Sequence, residues 1–391
     1  MRSNGDRTIT DHPGCKRDLG GTVRSRDPEE TLAWVRPLLP ALGITRIANV
    51  TGLDRIGIPV WMCVRPNSRC LSVSQGKGLT AELAQVAAVM ESIEMYHAER
   101  VREPDRVAAY RDARGAHDLL DPQTLMSGVR ARANRRSQKL AWIRGTDLGD
   151  GRPVLVPHAW VDLDQTRAHP DAGLFFVTST GLASGNDRAE ALCHGALEIV
   201  ERDSEWRWSE LSPSAQQRRQ LDPSTIDAPV VNGLLERLTG AGITVRMWDM
   251  TSAVGLPTYG CTLSDPRALG GLDPAYGVGC HLSKEVALVR ALTEAAQNRL
   301  TFIAGSRDDV FPLLYDAAAY VAPADPGEPG RVDFRVRRPL PQGATFDDDL
   351  RIILRLLDAA GFPRVLAVEH TRPELGIPVV TVVIPGMRQV R

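Results

Sequence analysis

The stretch Ala87–Arg100, AAVMESIEMYHAER, reads as helix, and Glu91 and Glu94 stand three residues apart in it among alanines, valine and methionine. A helix composed for burial has two carboxylates on one side. An unpaired buried carboxylate is costly or takes up a proton. Something must compensate.

Two further helices show the same pattern. In Asp187–Asp203, DRAEALCHGALEIVERD, Glu190, His194, Glu198 and Glu201 fall within about 80° of one another, since a helix turns about 100° per residue. Leu192, Ile199 and Val200 take the other face. In Lys284–Leu300, KEVALVRALTEAAQNRL, Arg290, Glu294 and Gln297 share a face with Ala287 nearby, and Arg299 falls opposite as a structural group. Around Glu91 and Glu94 the neighbours on the face are Ala84, Ala87 and Ala98. Such small residues leave room between helices. Glu91, Glu94, Glu198 and Glu201 thus form two i,i+3 pairs, and converging carboxylates repel unless cations separate them. Their hard oxygens suit Mg²⁺, which keeps waters and shares itself with substrate phosphates. Arg202, Arg290 and Lys77 are then candidates to face those phosphates. Each pair taken alone also reads as a solvated helix face.

The bulk numbers set wide bounds. The 391 residues, 43% apolar and 24% charged, afford a sizeable core in one large domain or two ordinary ones. The net charge of -1 gives no general attraction to nucleic acid or anionic membrane. The N-terminus has no apolar signal core, and no run approaches the length of a membrane span. The six cysteines form no C-x-x-C pair and read as reduced thiols of a cytoplasmic protein, Cys193 as packing. The eight histidines do not pair with cysteines at zinc-ligand spacing, and His97 and His281 read as structural.

Along the chain, residues 1–22 read as loose. Asp27 and Pro28 open a helix expected to reach Ala41 and end at Gly43. Strands are expected over Ile58–Val64, Cys70–Ser74, Val154–Val161, Leu174–Thr178, Ile243–Trp248, Thr258–Thr262, Val365–Glu369 and Val379–Ile384. Helices are expected over Thr80–Arg100, Asp187–Trp206, Ser283–Ile303 and Asp347–Ala360, and a Pro-rich loop or lid over 322–342. A strand, a Gly-rich loop and a helix bearing E-x-x-E occur twice, as an echo of duplication or by chance. Without strict β-α-β alternation, the fold class is α+β. Gln75-Gly76-Lys77-Gly78 is no Walker loop, because Leu71 stands where the first glycine belongs and Gly78 replaces Ser/Thr. It reads as an anion-holding glycine loop at a helix start or as a tight turn.

Several blocks, in this order, resemble the YcaO family: TGLDRIGIPV (51–60), SVSQGKG (72–78), MESIEMYHAER (90–100), GLASGNDRAEALCHGALEIVERD (181–203) and VALVRALTEAAQNRL (286–300). The resemblance implies a YcaO-type α+β fold with ATP and Mg²⁺ between helices, over residues 45–391, after an N-terminal extension and helix at 1–44. It implies that Glu91, Glu94, Glu198 and Glu201 hold Mg²⁺. Asn186 and Glu190 then lie toward the nucleoside, with Arg202 and Arg290 near phosphates and Lys77, Glu294 and Gln297 counted with the cofactor-binding residues. Arg24 and Thr31 match a basic residue and a hydroxyl seven apart, with arginine in place of the usual lysine. No catalytic base is assigned.

The implied activity is ATP-dependent O-phosphorylation of a peptide backbone amide. VTGLDRIGIPV with SVSQGKG looks like the subgroup that works with a TfuA-type partner in thioamide formation, with sulfide as nucleophile. The ending GIPVVTVVIPGMRQVR lacks the P-x-P-x-P type of tail common among azoline-forming members. Azoline formation on Cys, Ser or Thr of a precursor peptide is the alternative, as is an accessory ATP-binding role in sulfur modification of a ribosomal protein. The expected partners are a precursor peptide or protein substrate and the TfuA-type protein, which would aid peptide capture. A homodimer is compatible with the sequence. Nucleic acid and membrane are not expected.

Overall fold

The computed structural model describes residues 15–129, 135–167, 171, 173–267, 274–309 and 332–389. The N-terminal part forms a small ladder of β1 (Arg17–Asp18) and β2 (Val23–Arg24), then helix α1 (Pro28–Val35). Strands β3 (Arg46–Asn49), β4 (Val60–Val64) and β5 (Val73–Lys77) make an antiparallel sheet, followed by α2 (Ala81–Ala98). Next come β6 (Arg106–Ala109), α3 (Tyr110–Ala113), β7 (Lys139–Asp147), β8 (Pro153–Pro157), α4 (His158–Val161), β9 (Leu182–Ser184) and the long α5 (Arg188–Ser209). The chain continues through α6 (Pro213–Gln217) and α7 (Pro229–Gly240) to a second three-stranded sheet: β10 (Thr244–Asp249), β11 (Thr258–Ser264) and β12 (Ala275–Cys280). Helix α8 (Lys284–Ala304) follows it, and α9 (Phe346–Ala359), β13 (Leu366–Glu369) and β14 (Val379–Val383) close the fold.

Every ladder is antiparallel. The central sheet runs β6-β7-β13-β14-β9, with β8 paired to β7. This is an α+β architecture, as the sequence indicated. Among the described residues no helix is long and apolar enough to cross a membrane.

The two three-stranded sheets are built alike, each followed by a helix that packs onto its last strand. The echo seen in the sequence therefore pairs α2 with α8, not with α5. Glycine makes both packings close. A Cβ on Gly76 would lie 2.1 Å from the Ala88 nitrogen, and one on Gly277 2.3 Å from the Ala295 nitrogen. Gly76 and Lys77 thus belong to strand β5, not to an anion-holding loop. Ala84 and Ala98 are fully buried, so most of the alanine stripe seats α2 rather than opening space. Ala87 alone of the three predicted alanines lines the cavity described below.

The long helices begin where the sequence places them, each with a side-chain cap. Thr80 accepts from the Leu83 N–H, Asp187 from Glu190 and Ser283 from Val286. Other expectations need correction. α1 stops at Val35 and gives way to a 3₁₀ turn at Arg36–Leu38, because Pro37 and Pro40 cannot continue it. The strand expected at Cys70–Ser74 lies at Val73–Lys77. The strand over Val154–Val161 ends at Pro157, and His158–Val161 is a helical turn. Leu174–Thr178 is not a strand; Phe175 makes only an isolated bridge to Ser127. Leu182–Ser184, where no strand was expected, form β9. Residues 1–14 of the loose N-terminus and 322–331 of the Pro-rich segment lie outside the described residues.

The TGLDRIGIPV block supplies a structural staple. Arg55 donates to Asp265 at 2.6 Å, and Asp265 also takes Arg299 of α8 at 2.8 Å. Asp54 lies 3.4 Å from Arg299, which confirms that residue's structural role. His97 is buried against the Ile93 carbonyl at 2.8 Å, His281 accepts from the Ser283 N–H, and Cys193 donates to the Phe346 carbonyl.

Candidate functional site

Helices α2, α5 and α8 enclose a cavity of about 300 Å³, with β5 and β9 in its wall and residues 19–31 closing one end. All thirteen residues singled out from the sequence line it: Arg24, Thr31, Lys77, Glu91, Glu94, Asn186, Glu190, Glu198, Glu201, Arg202, Arg290, Glu294 and Gln297.

Backbone amides hold the four paired glutamates. Glu91 accepts from the Gln75 N–H at 3.2 Å, Glu94 from Ser184 at 2.8 Å, Glu198 from Gly181 at 3.0 Å and Glu201 from Cys280 at 2.7 Å. The Ser184 hydroxyl adds a second bond to Glu94 at 2.7 Å. Each donor lies on a strand or turn distant in sequence from the helix it steadies, except the Gln75 and Gly181 amides shortly before α2 and α5. Burial pushes Glu94 up to about 8 and Glu198 to about 7, and it raises Glu91 and Glu201 as well. The charges of Glu91 and Glu198 add to the shift at Glu94.

Cations gather at this end. Lys77 reaches Glu294 at 2.7 Å, and Arg202 bridges Glu201 at 2.7 Å, Glu205 at 2.7 Å and Glu294 at 3.1 Å. Burial opposes the charge of Glu294, but Lys77 and Arg202 overcome it and hold that carboxyl down at about 2. Arg290 stands 3.9 Å from Glu201, and its buried Nε has no partner among the described residues.

The opposite end is a hydrogen-bonded cluster. The Thr31 hydroxyl donates to Asn186 Oδ1 at 2.7 Å, and Asn186 Nδ2 donates to Glu190 at 3.2 Å. Glu190 also takes the Ser25 hydroxyl at 2.8 Å and Arg24 at 3.4 Å. Arg24 further contacts His194, whose charged form burial and the neighbouring Arg24 oppose. Ser25, Ser184 and the Gly181 amide are site groups that helix periodicity could not reveal, since their register comes from tertiary pairing. Gln75 and His194 stand inside blocks already noted, but periodicity assigned them no role.

Residues 75–388 match the sequence model of the YcaO cyclodehydratase family, described as ATP- and Mg²⁺-binding. The chain belongs to the YcaO family. ATP and Mg²⁺ are its cofactors, and its activity is ATP-dependent and of the cyclodehydratase kind. The YcaO protein is 35% identical to an uncharacterized protein in the tfuA 3' region of Rhizobium leguminosarum bv. trifolii, over 93% of this chain and 88% of the relative. It is 34% identical to an uncharacterized protein of Methanothermobacter thermautotrophicus, over 92% and 94%. Its structure is similar to that of YcaO from Methanopyrus kandleri bound with AMPPCP and Mg²⁺, with TM-score 0.73, 25% identity and coverage of 96% and 95%.

The residues present fit a magnesium nucleotide. Among the described residues no three carboxylate, imidazole or thiol groups close into a ready-made metal cage. Mg²⁺ takes one or two carboxylates and completes its shell with water and phosphate oxygens. Four cavity-facing glutamates with raised pKa values, Glu201 buried and the other three half-buried, call for a cation. The orphaned Arg290 Nε calls for an acceptor.

Proposed function

We propose that this YcaO protein uses ATP to phosphorylate the oxygen of a peptide backbone amide, and that the product is a thioamide formed with a TfuA-type partner. The observation that carries the site assignment is the set of four glutamates, Glu91, Glu94 and Glu198 half-buried and Glu201 buried, facing one cavity from two helices. The relative in the tfuA 3' region supports the choice of partner. A precursor peptide or protein is the substrate in this reading.

The glutamates of α2 and α5 hold the cation, and Lys77, Arg202 and Arg290 neutralise the phosphates. Thr31, Asn186 and Glu190, with Arg24, orient the nucleoside end. Without nucleotide, Glu294 keeps Lys77 and Arg202 in place through its ion pairs, and Gln297 lines the same wall. When bound, Mg-ATP supplies the acceptor phosphorus and the charge neutralisation that turn a poor leaving oxygen into phosphate. The amide carbon gains sulfur from hydrosulfide and loses its oxygen as inorganic phosphate, with ADP as the other product. The chain's own contribution is positioning and electrostatic stabilisation.

The alternative product is an azoline, formed when a Cys, Ser or Thr side chain of the peptide attacks instead of sulfide; the cyclodehydratase name of the family model favours it. Mass spectrometry of a candidate peptide incubated with the protein, its TfuA-type partner, Mg-ATP and sulfide separates the two. Exchange of oxygen for sulfur indicates the thioamide, and loss of water the azoline. An unchanged peptide, despite ATP turnover and an active partner, rejects both.

A further inference from the structure

Gln75 lines the cavity with 1% of its surface exposed. Its backbone N–H is the donor that holds Glu91. Its carboxamide oxygen accepts from the Thr301 hydroxyl of α8, whose oxygen also lies 2.9 Å from the Gln297 carbonyl oxygen. The carboxamide nitrogen Nε2 is buried and has no partner among the described residues.

A buried donor left without an acceptor is unfavourable. An apolar side chain of similar volume would fill the space without that penalty, so packing does not explain a glutamine here. Its neighbours indicate what does. Lys77 follows two residues later on the same side of β5 and pairs with Glu294. Glu91 is attached through the backbone bond. The unsatisfied donor therefore belongs to the end of the cavity where carboxylates and cations gather, away from Thr31 and Asn186.

We propose that the Gln75 carboxamide is a nucleotide-positioning group that donates Nε2–H to an oxygen of the terminal phosphate. The proposal rests on the assignment of this end of the cavity to metal and phosphates. Glu201 is likewise 1% exposed, behind Arg202. Contact with either group then requires phosphates to replace Glu294 as the partner of Lys77 and Arg202.

The test is calorimetric titration of the full chain, in Mg²⁺, with a non-hydrolysable ATP analogue and separately with ADP. Gln75→Leu is expected to weaken the analogue about tenfold, the scale of one hydrogen bond to a charged group, and to leave ADP unchanged. Equal weakening of both ligands, or of neither, overturns the proposal. If the leucine variant does not fold, Thr301→Val serves instead, because it removes the hydroxyl that orients the carboxamide. It should weaken the analogue about threefold with ADP unchanged, and an unchanged analogue affinity overturns the proposal. Loss of analogue binding in Glu91→Gln and Glu198→Gln, with normal binding in Gln75→Leu, removes this inference alone. Normal binding in all three removes the cavity assignment itself.

Discussion

Lys77 of β5 and Glu294 of α8 meet at 2.7 Å across the cavity, and Arg202 of α5 reaches the same carboxylate at 3.1 Å. One glutamate thus ties together a strand and two helices. It also parks two cations where a polyphosphate would take them. Lys77→Met is expected to weaken Mg-ATP about tenfold, the order of one charge-assisted contact, while Arg202 keeps Glu294 satisfied and the fold intact. Calorimetry for affinity and thermal unfolding for stability, on the same variant, check both halves of that expectation.

Four glutamates held in a low-dielectric cavity destabilise the nucleotide-free protein. Glu198→Gln keeps an acceptor for the Gly181 N–H but removes the charge. It should raise stability without ligand by about 1–2 kcal/mol at pH 8, as measured by urea unfolding. The same variant should lose the thermal stabilisation that Mg-ATP gives the native protein. A variant less stable without ligand, yet still stabilised by Mg-ATP, would argue against a metal role for Glu198.

The direction of the pH effect follows from the raised carboxyls. Glu94 and Glu198 titrate at about 8 and about 7 in the folded chain, because burial disfavours their charge. In the unfolded chain they titrate at about 4.3. Between those limits the folded state binds more protons, so stability without nucleotide falls as pH rises from about 4.3 to about 8 and then levels off for these groups. Cation binding requires the deprotonated forms. Mg-nucleotide affinity should therefore increase from pH 6 to pH 8, with protons released on binding. Titration in buffers of different ionisation enthalpy measures that release.

Close helix-on-strand packing makes its own prediction. Gly76→Ala would place a methyl group 2.1 Å from the Ala88 nitrogen and 2.3 Å from the Ala84 carbonyl oxygen, both backbone atoms that cannot yield cheaply. A loss of about 3 kcal/mol or more is expected. Gly52→Ala, with nothing within 4 Å of the new carbon, should change stability by about 0.5 kcal/mol or less. Denaturant unfolding of the two variants gives the contrast.

The three site helices were legible because caps and long periodic runs are local signals. Thr80, Asp187 and Ser283 mark their starts, and the glutamate spacing marks the cavity face. Strand β12, AYGVGC, was not legible. Its glycines look like turn signals, yet they are there because α8 approaches the strand backbone, a cause that lies many residues away. The same holds for Gly76 in β5. The alanines of α2 suggested empty space for the wrong reason, since Ala84 lies against the strand backbone at Gly76, Ala98 is buried and only Ala87 faces the cavity. Ser184 could not be matched to Glu94 from the sequence, because their 2.8 Å contact depends on where β14 places β9.

Amide phosphorylation is tested most directly by following the oxygen. A substrate peptide carrying isotopically labelled oxygen at the target amide is incubated with the protein, the proposed TfuA-type partner, Mg-ATP and sulfide, and the released inorganic phosphate is analysed by mass spectrometry. Label is expected in the phosphate, in proportion to peptide converted. Converted peptide accompanied by unlabelled phosphate would contradict transfer of the amide oxygen to phosphorus.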